Sequence, residues 1–348
     1  MVGDPAQAIV MRCDGGAAIG LGHVSRSLAL ADALRDAHRC RVTFAMRDLE
    51  SVGVARVRAQ GYDVASIEAD AESDYGTSLQ RLVMSHDARA LVVDVHDRLS
   101  LASLAAIRAT GVRIVTIDDG SDRRFASDLA FYPPMPQVAE MSWRGFTGER
   151  YAGWDWVILG GSFANEAGGA GGDESPAIDI LVTMGGSDPA RMTEFTVGAL
   201  GLLEMPFAVR VVVGPAFDRA EELIDAVAHS KHSIQIARAP ASLAPLMRAS
   251  RMAIAAFGVT AYELAACGVP AVHLCLTDDH ARSSSVFEQE GIAITTGVLE
   301  RVRPHHVAGA VSRLMGHAGR RGEIAARARQ LVDGRGAKRV AALVAAGL

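Results

Sequence analysis

The chain has 348 residues, of which 49% are hydrophobic and 22% charged, with a formal net charge of −5. That length suits two globular domains, the mild acidity gives no electrostatic footprint for nucleic acid, and no run approaches the roughly 18 apolar residues of a membrane span. The four cysteines, Cys13, Cys40, Cys267 and Cys275, form no Cys-x-x-Cys pair and read as reduced thiols, and the start of the chain lacks the basic-then-apolar order of a leader, which predicts a cytoplasmic protein.

Residues 8–11 are a short apolar run that predicts a buried strand. A loop carrying Gly15, Gly16, Gly20 and Gly22 follows, then a helical pattern with Val24, Leu28 and Ala31 on one face. Strand, glycine loop and helix make the first unit of an open α/β sheet, in which ligands sit beyond the carboxyl ends of the strands. His23 falls where the loop enters the helix, beside a natural anion site, and its imidazole can exchange a proton near neutral pH. The plainer alternative is a tight turn followed by a polar helix-start residue. NAD binding is disfavoured, because Gly-x-Gly-His lacks the third glycine of the dinucleotide fingerprint and the second strand shows no clear acid.

Residues 41–46 predict the second strand and 51–60 a helix that stops at Gly61. A helix at 79–86 leads into a strand at 90–94, and a helix at 100–110 into a strand that ends in Asp118 and Asp119. Carboxylates at strand C-ends tend to face the ligand crevice, which makes Asp94, His96, Asp118 and Asp119 candidates; the competing reading is that such acids cap the next helix or turn. Pro133, Pro134 and Pro136 break regularity, and residues 154–159 are apolar again. The glycine-rich, small and polar stretch 160–176 cannot bury enough surface to order itself and predicts a linker.

The pattern then restarts with a strand at 178–184, the loop Gly185-Gly186-Ser187-Asp188 and a helix at 191–202. Strands are expected at 208–213, 233–237, 252–256 and 270–276, with helices at 220–228 and 243–249 and one that opens on Phe257-Gly258-Val259-Thr260 and ends at Gly268. Thr277-Asp278-Asp279-His280 follows the last of these strands, and tail helices are expected at 304–314, 322–331 and 337–346. The alternation predicts an α/β, doubly wound architecture. A Rossmann-like N-terminal domain spans 1–159, the linker 160–176 and a second such domain 177–348, with a ligand cleft expected between them.

The motifs along this frame resemble the GT-B family of nucleotide-sugar enzymes. Within it, the likeness is to the UDP-sugar hydrolases of pseudaminic acid biosynthesis and the related spore-coat and flagellar polysaccharide proteins. The resemblance rests on Arg12-Cys13-Asp14-Gly15, Ile19-Gly20-Leu21-Gly22-His23-Val24-Ser25-Arg26 and Leu28-Ala29-Leu30-Ala31. In the second half it continues with Met184-Gly-Gly-Ser-Asp188, Gly258-Val-Thr-Ala-Tyr-Glu263, Gly268-Val-Pro270 and the stretch from Leu331 to Val340. It implies a GT-B-like fold and hydrolysis of a UDP-linked acetamido-deoxy sugar to free sugar and UDP, with no metal and no cofactor, the UDP-sugar being the substrate.

By the same resemblance His23 is the general base for water, with Asp14 and His96 beside it as catalytic candidates. Gly20, Gly22, Arg26, Gly185, Gly186, Ser187, Gly258, Val259, Thr260, Glu263, Asp279 and His280 are the expected nucleotide-sugar-binding residues, with helix-start amides on the diphosphate and Glu263 on the ribose hydroxyls. The chain departs from the family pattern with Asp94-Val-His96 in place of Asp-x-Tyr, with Asp279-His280 in place of Asn-Gln, and in lacking the leucine-arginine pair before the linker. Carboxylate and imidazole in place of amides change both charge and donor pattern. A GT-B glycosyltransferase in which His23 deprotonates an acceptor hydroxyl is the alternative, and a non-catalytic UDP-sugar-binding protein a third reading. The partner expected is a small-molecule nucleotide sugar, not nucleic acid or membrane, and the oligomeric state stays open. No His/Asp/Cys set has metal-ligand spacing, apart from the adjacent Asp278, Asp279 and His280 as a minor alternative.

Overall fold

The structure, a computed structural model, describes residues 6–16, 19–47, 51–67, 72–164, 177–188, 190–215 and 217–348, with the side chains of 72–74 set aside. The chain divides into two units: unit 1 holds Met1–Gly160 and Arg335–Leu348, unit 2 holds Gly161–Gly334.

In unit 1 the strands are β1 (Ala8–Cys13), β2 (Arg41–Met46), β3 (Asp63–Ser66), β4 (Ala88–Asp94), β5 (Arg113–Ile117), β6 (Leu129–Tyr132) and β7 (Glu149–Ala152). They form one sheet in the order β3-β2-β1-β4-β5-β6-β7, each neighbouring pair parallel. The helices between them are α1 (Gly22–His38), α2 (Val52–Ala59), α3 (Glu72–Ser85), α4 (Leu101–Arg108) and the short α5 (Pro136–Glu140). Every residue of β1 is buried, as expected of a central strand covered on both faces. Val24, Leu28, Ala31 and Leu34 of α1 pack into the same core as Met11, Phe44 and Val92. α2 and α4 start at serine caps, where Ser51 Oγ accepts from Val54 N at 3.3 Å and Ser100 Oγ from Ser103 N at 3.1 Å.

Unit 2 repeats the plan. Its sheet is built from β8 (Ile178–Thr183), β9 (Ala208–Val213), β10 (Ser233–Arg238), β11 (Ser250–Ala256), β12 (Ala271–Cys275) and β13 (Ala293–Val298), in the order β10-β9-β8-β11-β12-β13, again all parallel. The helices are α6 (Met192–Leu200), α7 (Ala220–Ala228), α8 (Ala244–Arg248), α9 (Val259–Cys267), α10 (Asp278–Gln289), α11 (Pro304–Gly316) and α12 (Ala318–Leu331). Ile180, Val211, Ile254 and Val272 of the strands share a core with Val307, Val311 and Leu314 of α11. In both sheets the order reverses beside the first strand of the unit, between β1 and β4 and between β8 and β11. Open α/β sheets bind ligands at such reversals.

The division corrects the expected 177–348 domain at its end. α13 (Gly336–Ala345) lies on α1, with Ala337, Val340, Ala341 and Val344 in the core of unit 1. Its small apolar residues at i, i+3, i+4 and i+7 fit the apolar stripe of α1 in that core. The apolar 154–159 run is a 3-10 turn at Trp154–Trp156 followed by buried coil, and α10, for which the sequence reading named no element, occupies the stretch after Thr277. Most of the expected linker, residues 165–176, lies outside the described residues.

Candidate active site

The reversal in unit 1 is built from the loop after β1, the start of α1 and the ends of β4 and β5. Gly16 and Gly20 close the loop with a reciprocal pair of backbone hydrogen bonds, Gly16 N to Gly20 O at 3.0 Å and Gly20 N to Gly16 O at 2.9 Å. Gly20 has φ +75°, which only a residue without Cβ adopts at no steric cost. The loop delivers the chain to Gly22, and α1 begins with no side-chain cap and no acid in its first turn.

His23 Nδ1 lies 2.7 Å from Asp94 Oδ1. An ionised carboxylate only accepts, so Nδ1–H donates and the lone pair sits on Nε2, which has no hydrogen-bond partner among the described residues. Asp94, at the end of β4, is wholly buried. Arg26, one turn along α1, donates Nε to Asp94 Oδ2 at 2.9 Å and Nη2 to Oδ1 at 2.6 Å, and Ser27 Oγ adds a 3.4 Å contact. Burial alone would raise the Asp94 carboxyl. The charge of Arg26 and the His23 contact outweigh it and hold Asp94 well below the usual carboxylate range. Arg26 Nη1 also donates to Asp118 Oδ2 at 2.9 Å. His96 stands edge-on to His23, ring centroids 5.0 Å apart, and its Nε2–H donates to the Asp118 carbonyl oxygen at 3.1 Å.

Other expected residues are structural supports. Asp14 accepts from Arg12 and, at 3.0 Å, from Arg47 N, so its two oxygens tie the end of β1 to the end of β2. Asp119 takes the capping role: Oδ1 accepts from Ser121 N at 2.8 Å and Oδ2 from Arg123 Nε at 2.9 Å. Arg26, expected on the substrate, spends its guanidinium on Asp94 and Asp118. Sequence reading quoted Arg12 only within a motif and gave no site role to it or to Tyr75, Asp97 and Arg123. Arg12 is wholly buried, with Nε on Tyr75 Oη and Nη2 on Asp97 Oδ2 at 2.9 Å, and Arg123 Nη1 reaches Asp97 Oδ1 at 3.0 Å. The available signal was an arginine inside the apolar run of β1, since a buried cation demands anionic partners.

In unit 2, Gly185, Gly186 and Ser187 follow β8 and Gly258, Val259 and Thr260 follow β11, on the two sides of the reversal. The amides that open α6 are already occupied, because Asp188 accepts from Met192 N at 2.9 Å and Thr193 N at 2.8 Å. α9 starts at Gly258 with no side-chain cap, which makes it the better anion end of the two. Gly214, after β9, approaches Gly186 so closely that a Cβ on it would lie 2.2 Å from the Gly186 carbonyl oxygen, which fixes the glycine loop against its neighbour. Glu263 sits half-buried on the second turn of α9. Asp279 and His280 lie in the first turn of α10, where Thr277 Oγ1 accepts from His280 N at 3.1 Å and the His280 ring is 6.1 Å from that of Phe257. Asp278 pairs with Arg301, and among the described residues no group of three or more His, Cys, Asp or Glu side chains is placed to hold a metal ion. No described helix is long and apolar enough to cross a membrane.

Two parallel, doubly wound sheets with this strand order define the GT-B class of fold, and solved structures agree. MurG of Acinetobacter baumannii aligns over 97% of this chain and 99% of its own with a TM-score of 0.69 and 18% identity. The calicheamicin glycosyltransferase CalG4 aligns over 99% of both chains at 0.67 and 16%. The UDP-GlcNAc 2-epimerase of Neisseria meningitidis, solved bound to UDP-GlcNAc, aligns over 97% of this chain and 99% of its own at 0.64 and 12%. In sequence, the chain is 25% identical over 340 residues to the spore coat polysaccharide biosynthesis protein SpsG of Bacillus subtilis, covering 95% of this chain and 96% of that protein. No family model matches the chain.

Proposed function

We propose that the protein is a nucleotide-sugar enzyme of surface polysaccharide or nonulosonic acid biosynthesis, and specifically a hydrolase that cleaves the sugar–phosphate bond of a UDP-linked acetamido-deoxy sugar. The observation that carries this reading is the His23–Asp94 pair, which leaves Nε2 as a base at the ligand-binding edge of the sheet. Its support from relatives is the full-length similarity to SpsG and the fold shared with UDP-sugar enzymes.

Water attacks the anomeric carbon as the bond to the UDP oxygen breaks. The water proton passes to His23 Nε2, and UDP leaves with the bonding electron pair. Asp94 stabilises the imidazolium that forms, without itself taking a proton. In unit 2 the open amides of Val259 and Thr260, with the backbone of Gly185, Gly186 and Ser187, hold the diphosphate, and Glu263 accepts from the ribose hydroxyls. UDP is already a good leaving group, so these neutral donors suffice and no metal is required.

The second reading, a transferase, is favoured by the fold shared with MurG and CalG4. One assay separates them. The protein is incubated with a panel of UDP-sugars without acceptor, and free UDP is measured. Release that is lost in a folded His23→Ala variant and persists in EDTA supports the hydrolase; release only on adding an acceptor establishes the transferase in its place.

A further inference from the structure

We propose that Asp118 keeps His23 basic, acting through Arg26 and Asp94 as a positioning residue that does not touch substrate. This rests on the reading of His23 as the base.

Asp94 faces two cations at once. Arg26 grips both of its oxygens, and the same guanidinium comes within 3.4 Å of His23 Nδ1, where the imidazolium must form. A carboxylate neutralised by arginine is a poor partner for a second positive charge, and the Arg26–Nδ1 approach is repulsive once His23 is protonated. Asp118 reverses that balance by taking the third arm of Arg26, Nη1, at 2.9 Å. With both acids ionised and His23 neutral, the group of Arg26, Asp94 and Asp118 carries one net negative charge, and protonating His23 brings it to zero. Without Asp118 the same protonation takes the group from neutral to positive in a site where Asp94 is wholly buried and Arg26 only 11% exposed, and burial makes net charge costly.

The other groups around His23 do not supply this charge. His96, on the loop after β4, is tied through Nε2–H to the Asp118 carbonyl oxygen. Cys13, at the end of β1, is kept as a neutral thiol because burial pushes it up to about 12. Ser27 is a hydroxyl on Asp94. Arg12, Asp14, Asp97, Arg123 and Asp119 are bonded among themselves.

The backbone makes the test clean. Asp118 has φ +56°, a left-handed conformation that asparagine tolerates and glycine adopts freely, so Asp118→Asn and Asp118→Gly remove the charge without forcing the chain to move. The full-length protein is labelled at the histidine rings and titrated by NMR, with the His23 signal assigned from His23→Gln. Both variants are expected to lower the His23 midpoint by about half a pH unit or more, while exposed His229 in unit 2 stays put. The acid limb of kcat/KM for UDP release moves down with it, with KM unchanged. Arg26→Gln is expected to move the midpoint the other way. A His23 midpoint that is unchanged or rises in the Asp118 variants overturns the proposal, even in an enzyme that releases UDP. Because the titration needs no substrate, a lowered midpoint in a protein that turns over no UDP-sugar leaves this charge linkage standing and sinks the hydrolase reading alone.

Discussion

Asp94 gives His23 its direction. Its Oδ1 lies 2.7 Å from Nδ1, so the proton is pinned on that nitrogen and the lone pair is left on Nε2. Asp94→Asn keeps the shape but presents an amide that can donate, allowing the wrong tautomer. UDP release is expected to fall by about 10²- to 10⁴-fold, measured as kcat, with the far-UV circular dichroism spectrum retained. His23, Asp94 and His96 were legible in the sequence because each follows an apolar strand or glycine loop, where open sheets display their chemistry. Arg12 was not, since its partners Tyr75 and Asp97 lie 63 and 85 residues away and nothing local announces them. Asp118 and Asp119 show the limit of strand-end reasoning: adjacent acids after one strand, one holding Arg26 and the other capping a turn.

At the level of elements, the central strands were readable as apolar runs and the edge strands of unit 1 were not. β7, Glu-Arg-Tyr-Ala, and β3, Asp-Val-Ala-Ser, are four-residue edge strands with exposed or half-buried positions, so neither has the continuous apolar signature of a strand covered on both faces. β6 went unread because it is as short and runs into the prolines that follow it. The helix that sequence reading placed in the wrong unit, α13, covers α1 and so buttresses the element on which His23 and Arg26 stand. Val340 and Val344 are wholly buried there. Ending the chain after Gly334 would expose the apolar stripe of α1, and burial of each valine contributes about 1.5–3 kcal/mol. The truncated protein is expected to lose several kcal/mol from the stability of unit 1, read as an earlier denaturant midpoint of a probe placed there, with the His23 signal broadened in the same samples.

For the molecule as a whole, the pH dependence of stability has an identifiable source in unit 2. His273, on β12, is completely enclosed, with Nδ1 against Ser284 Oγ at 3.0 Å and the rings of Phe257 and Phe287 around it. Burial pushes its imidazole from 6.5 down to about 3. The folded state therefore refuses a proton that the unfolded chain accepts below its ordinary value of 6.5, so stability is complete above that pH and declines as pH falls toward 3. The slope is roughly 1.4 kcal/mol per pH unit for this one group. Urea titrations at stepped pH are expected to show the decline, and His273→Leu, which leaves Ser284 bonded to Thr295, to flatten it.

The segment of chain that enters unit 2 and the one that leaves it touch. Gly334 is pressed against Phe163 and Ala164, where a methyl group on it would stand 2.5 Å from the Ala164 Cα. Unit 2 is thus one uninterrupted stretch whose two ends meet, whereas unit 1 is assembled from two pieces that find each other only after that stretch has been made. During synthesis the helix bearing the candidate base emerges before unit 2, yet its apolar side is covered by α13 only once unit 2 has been made. Unit 2 can close as soon as its own final helix is complete.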